Sequence, residues 1–345
     1  MSMTLLPLRA AASRCLLALW ALWALGFLGV AAAQQGAAQA VEPAAERGIN
    51  EWLMRMQEAS RERSYVGTFV VSSSGGELSS ARIWHAGHPT QQIEKVEVLT
   101  GAPRSTYRRN EEVLTFQPDA RVVRAEKREA MGLFPNLLHS SDTSIPDFYT
   151  ARRTGAERVA GFDADVVQLA PKDHLRFGYR VWSEKRTGLV MKLQTLDDQG
   201  RVLEQAAFSE LQLDVPVRGD KIARMMQPPA GWRVERAQAV KTDAASEGWM
   251  LKAAVPGFKP MNCYRRPGTG DAANGSLQWI FSDGLAAVSL FIEPFDRERH
   301  QREGLMASGA TQTLTRRMDD WWVTAVGEVP VQTLKAFAQG IERRR

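Results

Sequence analysis

Hydrophobic and polar residues alternate with a period of two along much of this chain, most clearly between residues 277 and 292. Asp283 and Gly284 divide this stretch into two arms and favour a two-residue type I′ turn, because both central positions of such a turn need positive φ. The alternating apolar residues of the two arms are Leu277, Trp279 and Phe281, followed by Ala286, Val288, Leu290 and Ile292. The pattern therefore predicts a β-hairpin with one buried face.

The same period predicts a series of strands in the first two thirds of the chain. The predicted strands are 65–71, 78–85, 95–98, 106–110, 113–116, 121–125, 157–169, 175–183, 189–196 and 201–208. Neighbouring strands should be antiparallel, because most are joined by short turns and parallel strands need long crossovers. One helical turn is expected at 145–151, and a later strand pair should turn at Asp319-Asp320.

Two stretches have helical periodicity instead. The first predicts an amphipathic helix that ends near residue 61, and its apolar stripe is Ile49, Trp52, Leu53 and Met56. The second predicts a closing helix at the C-terminus, where Pro330 suits the first turn. The apolar stripe of that helix is Val331, Leu334, Phe337 and Ile341.

A stretch of poor periodicity divides the chain into two predicted domains. Residues 215–248 contain Pro216, Pro228 and Pro229 and are predicted to be a linker. Residues 48–214 would then form a larger N-terminal domain, and residues 249–345 a smaller C-terminal one. Residues 34–47, rich in alanine and glutamine, are predicted to be a disordered N-terminal segment. Many strands and few helices indicate an α+β fold of mainly antiparallel β-structure.

The first 33 residues have the pattern of an export signal. Arg9 and Arg14 form a basic region, residues 16–30 are apolar, and Ala31-Ala32-Ala33 supplies small residues for cleavage. An uncleaved anchor is the alternative, although the apolar run is shorter than the roughly 20 residues that span a membrane. Cleavage would leave 312 of the 345 residues and lower the formal charge from +5 to +3, since two arginines are removed.

Neither charge nor motifs indicate nucleic-acid binding or catalysis. The charge is mildly basic, and no basic block is long enough to predict a nucleic-acid partner. His85 and His88 are close together but have no acidic or cysteine neighbour, and a metal site needs three or four ligands, so we interpret them as surface residues. No nucleophile, phosphate-binding or dinucleotide-binding motif occurs. We predict no catalytic residue, no metal site and no cofactor.

Cys263 is the single cysteine that remains after cleavage, so it closes no disulfide within the chain. We predict that it is buried as a small apolar residue. Pairing with a second chain is the alternative, and a homo-oligomeric state stays open at this stage.

An apolar loop at residues 131–138, broken by Pro135, interrupts the predicted strands. Such a loop must fill the core as a plug or cover a cavity as a flap, because exposed apolar patches usually mark binding sites. The flap hypothesis predicts a lipid site with loop residues Leu133, Phe134, Leu137 and Leu138 and wall residues Phe69, Trp84 and Trp182. For the tryptophans, packing in the core is the alternative.

Several short blocks of sequence resemble one known family in their order and spacing. The blocks are residues 65–70 (YVGTFV), 181–184 (VWSE), 187–192 (TGLVMK), 279–294 (WIFSDGLAAVSLFIEP) and 322–330 (WVTAVGEVP). Together they resemble the RseB/MucB family, the periplasmic regulators of the envelope-stress sigma factor. The chain departs from the family pattern at Cys263, which has no role there, and in the loop around Phe134.

The resemblance implies a fold and a function. The larger domain would be an incomplete β-barrel like those of the lipoprotein carriers LolA and LolB, followed by a smaller α+β domain. The protein would be no enzyme but would bind the periplasmic region of an RseA- or MucA-type anti-sigma factor and shield it from the site-1 protease. Misplaced lipopolysaccharide or lipoprotein would be the signal, with its acyl chains in the N-terminal domain. We predict partner contacts at Trp279, Phe281 and Trp322.

Two alternatives to this function make different demands on the chain. A LolA-like periplasmic carrier of lipid or lipoprotein, with no regulatory partner, would need only the larger domain, so the second domain argues against it. A periplasmic hydrolase would need a nucleophile and a base, and the sequence shows no such pair.

Overall fold

Two large β-sheets with helices packed against them form most of the part of the chain that the structure describes. The computed structural model describes residues 48–88, 91–127, 134, 135, 137, 138, 144–236, 239–266 and 275–344. All of these residues belong to one compact unit. The predicted export signal, the segment 34–47 and the predicted flap residue Leu133 lie outside the described residues.

The N-terminal region contributes two helices and eleven strands within the described ranges. The helices are α1 (Ile49–Glu62) and α2 (Ile145–Phe148). The strands are β1 (Tyr65–Ser73), β2 (Leu78–Ala86), β3 (Ile93–Val98), β4 (Ser105–Arg109), β5 (Glu112–Gln117), β6 (Val122–Lys127), β7 (Tyr149–Val159), β8 (Phe162–Pro171), β9 (Gly178–Glu184), β10 (Val190–Leu196) and β11 (Val202–Leu213).

The remaining elements follow in the predicted linker and C-terminal domain. They are α3 (Gly219–Met225), β12 (Arg233–Arg236), β13 (Val240–Thr242), β14 (Trp249–Leu251), β15 (Lys259–Arg266), β16 (Ser276–Ser282), β17 (Ala287–Pro294), β18 (Gly304–Ser308), β19 (Thr311–Met318), β20 (Trp321–Gly327), α4 (Val331–Gly340) and β21 (Ile341–Arg343). None of the helices in the described part of the chain is both long and apolar enough to cross a membrane.

The larger sheet has twelve strands among the described residues, in the order β12-β6-β5-β4-β3-β2-β1-β11-β10-β9-β8-β7. It is an open sheet that does not close into a barrel, and β12 and β7 form its two edges. Neighbouring strands are antiparallel except for β12, which runs parallel to β6. The predicted α+β class with an incomplete, mainly antiparallel barrel is thereby confirmed.

Helix α1 covers one face of this sheet, as its periodicity predicted. Trp52, Leu53 and Met56 are buried on one side of the helix. They form one apolar cluster with residues of β8, β9 and β10, among them Val167 and Val181. An apolar stripe at spacings of three and four gives a helix one face to bury, and this accounts for the position of α1 on the sheet.

The prediction of a single strand at residues 157–169 is wrong, because a tight turn divides this stretch. Strand β7 ends at Val159, and β8 begins at Phe162. Between them, Ala160 and Gly161 both have positive φ, 46° and 89°. Two positive φ values in succession produce the tight turn of a β-hairpin. The sequence did not predict this turn, because alanine, the residue at the first of these positions, is not typical of positive φ.

The predicted linker contains three short regular elements that connect it with both sheets. Helix α3 packs on the face of the large sheet opposite α1, where Ile222 lies in a cluster with Ile93 and Tyr107. Strand β12 joins the large sheet beside β6. Strand β13 pairs with β15 of the second sheet. The sequence predicted none of the three, since each is too short to show a period.

The smaller sheet has the order β13-β15-β16-β17-β20-β19-β18, and α4 packs across it. Phe337 of α4 lies against Phe281 and Phe258, with ring centroids 4.8 and 5.6 Å apart. The predicted hairpin of β16 and β17 and the predicted turn at Asp319-Asp320 are both present. A separate pair, β14 and β21, brings the two ends of the C-terminal domain together.

Candidate functional site

Three of the predicted lipid-site residues lie in one apolar cluster of the N-terminal domain. The ring of Phe134 is 5.5 Å from that of Phe69 and 5.0 Å from that of Phe208, measured between centroids. Trp182 is buried in the same cluster, and its Nε1 donates a hydrogen bond of 2.9 Å to Glu157. Phe69 and Phe134 are therefore in contact. Through its strand pairing Trp182 shares a face of the sheet with Lys192 and Val70, opposite the face of Phe69. The part of all three predicted residues in lipid binding stays a prediction.

The other described loop residues lie in a neighbouring cluster beneath helix α1. Leu137 is buried there, and Leu138 packs against the cluster from a half-buried position. Phe134 contacts this cluster as well as the aromatic one. The described part of the loop thus lies against the core of the N-terminal domain, and both the plug and the flap hypotheses still need a functional test.

Trp84 lies on the opposite face of the sheet from Phe69. Strands β1 and β2 pair Val66 with Trp84 and Phe69 with Ala81. Successive residues of a strand point to opposite faces, so Phe69 shares a face with Ala81 and not with Trp84. Trp84 packs instead near α3, with the Lys95 ammonium 4.7 Å from its ring centroid. The structure does not bring Trp84 into the predicted wall.

The hairpin of β16 and β17 ends in a four-residue turn that reaches into the N-terminal domain. Ser282 pairs with Ala287, and the amide of Asp283 donates to the carbonyl of Ala286. Leu285 at the tip is 3% exposed and belongs to the cluster beneath α1. The predicted two-residue type I′ turn is wrong, since Gly284 but not Asp283 has positive φ among the described residues.

The side chain of Asp283 gives the turn its shape. Its Oδ1 accepts hydrogen bonds from the amides of Leu285, at 3.0 Å, and Ala286, at 2.7 Å. Ser282 adds two bonds, since its hydroxyl donates to the Ala286 carbonyl and accepts from the Gly284 amide. These bonds satisfy backbone groups that are buried away from water, so the tip can enter an apolar core.

The other carboxylate oxygen of Asp283 joins the two domains. Its Oδ2 accepts a bond of 2.8 Å from Nε of Arg176, a residue of the segment between β8 and β9, and both side chains are fully buried. The hydroxyl of Tyr149 donates to the same oxygen at 3.2 Å. Burial, followed by the nearby Tyr179 and Asp283, raises the pKa of Tyr149 well above its ordinary value. The hydroxyl therefore keeps its proton and remains a donor.

Arg176 has partners for the rest of its guanidinium group. It donates to the side chain of Asp173 and to the carbonyl of Pro256. The guanidinium carbon also lies 4.3 Å from the ring centroid of Phe148 and 5.0 Å from that of Phe258. Phe148 belongs to the N-terminal domain and Phe258 to the C-terminal domain, so Arg176 lies between rings of both. Such stacking stabilises a buried cation.

The insertion of one domain into the other is reciprocal. Leu175, next to Arg176, packs against the apolar cluster of the C-terminal domain. Its carbonyl accepts a hydrogen bond of 2.7 Å from the hydroxyl of Thr333 in α4. Leu285 enters the opposite domain in return. Each domain therefore completes the core of the other, and the residues of the ion pair stand next to or near these two leucines in sequence.

The three predicted partner-contact residues are divided between the two faces of the smaller sheet. Phe281 is 2% exposed and lies with the half-buried Trp279 on the face covered by α4. Trp322 is buried on the other face, where its ring stacks on His300 at 4.9 Å. His300 accepts from the amide of Asp296 and lies 3.1 Å from Glu293. Contact of these residues with a partner stays a prediction.

A polar cleft of about 730 Å³ lies beside the C-terminal half of α1. Arg55, Arg63, Glu58 and Glu62 line it from the helix and its C-terminal end. Arg55 also donates to the carbonyls of Lys185 and Arg186 in the turn between β9 and β10. The charges in the cleft are mixed, and it does not coincide with the predicted apolar site.

Other chemical groups singled out in the sequence lie in structural positions. Burial and the nearby Glu247 raise the pKa of the Cys263 thiol to about 11, which leaves it protonated and unreactive at neutral pH. His85 is buried between the carbonyl of Arg61 and the carboxylate of Glu94, so its interpretation as a surface residue is wrong. Within the described ranges, no three His, Cys, Asp or Glu side chains are placed to hold a metal ion.

Fold and core packing define a two-domain α+β protein of mainly antiparallel strands whose domains interlock. The chain belongs to the MucB/RseB family. The family model of the MucB/RseB N-terminal domain matches residues 48–226, and that of the C-terminal domain matches residues 243–342. This confirms the family resemblance read from the sequence blocks.

Curated relatives and solved structures match the chain over both domains. The sigma factor AlgU regulatory protein MucB of Pseudomonas aeruginosa is 28% identical over 85% of this chain and 90% of its own length. The sigma-E factor regulatory protein RseB of Escherichia coli K12 is 24% identical over 84% of this chain and 89% of its own length. A crystal structure of MucB in complex with MucA(peri) is 26% identical, covers 86% of this chain and 100% of that chain, and has a TM-score of 0.66. The MucA/MucB complex structure of Pseudomonas aeruginosa is 27% identical, covers 86% of this chain and 99% of that chain, and has a TM-score of 0.65.

Proposed function

We propose that this protein is a periplasmic, non-enzymatic regulator that binds the periplasmic region of an RseA- or MucA-type anti-sigma factor. While bound, it shields that region from the site-1 protease, so the sigma factor stays sequestered. The observation that carries the proposal is the match with MucB in its complex with MucA(peri), which extends over 100% of that MucB chain. Both domains of a MucA-binding protein therefore have counterparts here.

The C-terminal domain and the segment that precedes it form the proposed binding surface. Strands β12 and β13 of this segment join the larger and the smaller sheet, respectively. An extended partner that lies along this segment would contact both domains at once. Trp279 is the best placed of the predicted contact residues, because it is half-buried and its ring lies 4.6 Å from that of Phe281. Aromatic residues of this kind often dominate binding energy.

Binding can be tested with the exported protein and the periplasmic segment of the single-span anti-sigma protein encoded nearest to it. Titration calorimetry should show a complex, and Trp279→Ala should weaken it at least about tenfold, as hot-spot tryptophans do. Phe162→Ala is the control, because Phe162 is also a half-buried aromatic residue but lies on β8 of the N-terminal domain, away from the proposed surface. Digestion by the site-1 protease should slow when wild-type protein is added. A segment that neither binds nor gains protection would reject the proposal.

We further propose that the N-terminal domain senses acyl chains of misplaced lipopolysaccharide or lipoprotein. The support is the aromatic cluster of Phe69, Phe134 and Phe208, in which Phe69 and Phe134 are half-buried and have ring centroids 5.5 Å apart. Apolar sites lined by aromatic residues suit acyl chains. Binding of an acyl ligand should lower the affinity for the anti-sigma segment. A protein that binds acyl ligand but no anti-sigma segment would instead be a lipid carrier of the LolA type.

A further inference from the structure

We propose that the tip of the β16–β17 hairpin, residues 283–286, is a built-in stopper of the acyl-chain site. In this arrangement Leu285 lies in the apolar core beneath α1, which Phe134 joins to the aromatic cluster of Phe69 and Phe208. An acyl chain that extends from the aromatic cluster into this core displaces Leu285. The inference rests on the proposed acyl-chain function. It adds the place where an acyl chain enters the core and the side chain that it displaces there.

Leu285 comes from a distant part of the chain and from the other domain. The remaining buried members of its cluster lie between Trp52 and Val190, on α1, the loop, α2 and strands β7 to β10. The leucine is 3% exposed, so the cluster accommodates its whole side chain. The isobutyl group of Leu285, seated among residues of a separate domain, is a saturated aliphatic group, as is a short segment of acyl chain. The core beneath α1 therefore already holds the kind of group that a lipid would supply.

The tip can withdraw without losing its own shape. Asp283 and Ser282 bind the backbone of the turn from within it, through the amides of Gly284, Leu285 and Ala286. These bonds do not depend on the N-terminal domain. A self-contained turn can leave the core as one body, because its backbone groups stay paired when water reaches them.

The ion pair between Arg176 and Asp283 sets the threshold for this movement. Both side chains are fully buried, and Tyr149 donates to the same carboxylate. Withdrawal of the tip separates all three groups, and a buried charge that loses its partner is strongly unfavourable. Only a ligand that buries more apolar surface than Leu285 can offset the cost of breaking this ion pair, since the favourable free energy of burial scales with the apolar area removed from water. A long acyl chain meets this condition, whereas a small apolar solute does not.

Displacement of the tip would also carry the signal to the proposed partner surface. Strand β16 connects the tip directly with Phe281 and Trp279, which pair with Val288 and Leu290 across the hairpin. A hairpin that moves as one body shifts these residues together with the tip. Acyl binding in one domain would in this way change the surface of the other.

The test uses the exported protein and a dansyl-labelled undecanoic acid as the acyl probe. Leu285→Ala removes most of the stopper, so probe affinity should rise about tenfold, the effect expected when one buried leucine side chain no longer competes. Leu285→Met keeps the volume and should leave the affinity within about twofold of wild type. Leu305→Ala is the matched control, because Leu305 is an exposed leucine on β18. Thermal unfolding of each variant verifies that it is folded.

Hydrogen exchange of the wild-type protein provides a measurement that needs no substitution. The amides of Leu285 and Ala286 are bonded to Asp283 within a buried turn and should exchange slowly. Saturation with the probe should move the turn into water, where the single bonds of an exposed turn open far more often than those of a buried one, so the exchange of these amides should accelerate. Amides in the centre of β17 should stay protected. This measurement decides the question by itself if Leu285→Ala does not fold.

The outcomes separate the stopper from the function on which it rests. Tighter binding by Leu285→Ala, or faster exchange at the tip in the wild type, supports the stopper. A probe that binds wild type and Leu285→Ala equally, with exchange at the tip unchanged, overturns the stopper and leaves acyl binding intact. A probe that binds neither protein rejects the acyl-chain function and the stopper with it.

Discussion

Nε of Arg176 lies 2.8 Å from Oδ2 of Asp283, and neither side chain is accessible to solvent. The two residues belong to different domains, and each stands close in sequence to a leucine that packs in the core of the other domain. A buried ion pair is weak evidence for stability by itself, because desolvation offsets the attraction. Its geometric effect is more definite: the pair fixes which part of each domain meets the other.

Removal of one member of this pair should be strongly destabilising. Arg176→Met leaves the Asp283 carboxylate buried without its cation, and such losses amount to about 3–5 kcal/mol. Urea denaturation of the full exported chain measures the effect. Arg153→Met is the control: the bond of Arg153 to Asp165 is largely exposed, and such pairs contribute under about 1 kcal/mol. Equal effects of the two substitutions would contradict the assigned role of the pair.

Gly257 should tolerate no side chain, because its Cα faces Arg176 at close range. A Cβ there would overlap Nη2 of Arg176 and lie 2.9 Å from Cζ of Phe148. Gly257 has a φ of +80°, which costs a non-glycine residue about 1–2 kcal/mol even in open space. Gly257→Ala should therefore lower the free energy of unfolding by clearly more than this amount, as urea denaturation would show.

Gly248→Ala is the matched control for that substitution. Gly248 has the same φ of +80°, but no heavy atom lies within 4 Å of the position that an alanine Cβ would occupy there. The difference between the two variants isolates the steric part of the effect. If both lose the same stability, the contact between Gly257 and Arg176 does not restrict this position.

Local periodicity predicted the elements that bury one face and reach several residues in length. The stripe through Trp52 and Met56 predicted α1, and the alternation around Asp283 predicted the β16–β17 hairpin. Strand β12 was not predicted, because it has four residues and pairs with β6 more than 100 residues earlier. No pattern within a short window contains information on so distant a partner.

The sequence predicted the composition of the candidate site better than its arrangement. Phe69 and Phe134 do meet, with ring centroids 5.5 Å apart, whereas Trp182 lies on the opposite face of the sheet from Phe69. Trp84 was assigned to the same wall, yet the parity of the β1–β2 register places it on the other face. Asp283 was interpreted only as a turn residue, and its second role in a buried ion pair depends on Arg176, more than 100 positions away. Register and domain contacts are properties of the folded chain.

Phe134→Ala should distinguish the plug from the flap. The ring contacts Phe69 and Phe208, and truncation of a fully buried phenylalanine costs about 3–5 kcal/mol. Since Phe134 is half-buried, we expect a loss of roughly 2 kcal/mol, with Phe134→Leu recovering most of it. Urea denaturation and probe binding are measured on the same samples. Unchanged stability together with weaker acyl binding would support the flap instead.

Glu328, between β20 and α4, should make stability depend on pH. Part of the residue is exposed, but the surrounding protein desolvates its carboxyl group, and this burial together with Glu204 raises the pKa of Glu328 to about 7. Between its ordinary value of 4.5 and about 7, the folded protein retains a proton that the unfolded chain releases. The contribution of this group to stability is therefore highest below pH 4.5, falls as pH rises through that window and levels off above it.

Glu328→Gln should remove this decline, because a neutral amide has no proton to retain. Chemical denaturation at a series of pH values from about 4.5 to about 8 should show a flatter profile for the variant, with the largest gain over wild type above about pH 7. Glu111→Gln, in the exposed turn between β4 and β5, controls for the change of side chain. Parallel profiles for wild type and Glu328→Gln would mean that the carboxyl group of Glu328 ionises as freely in the folded protein as in the unfolded chain. In that case its proximity to Glu204 would have no energetic consequence at the junction of the two domains.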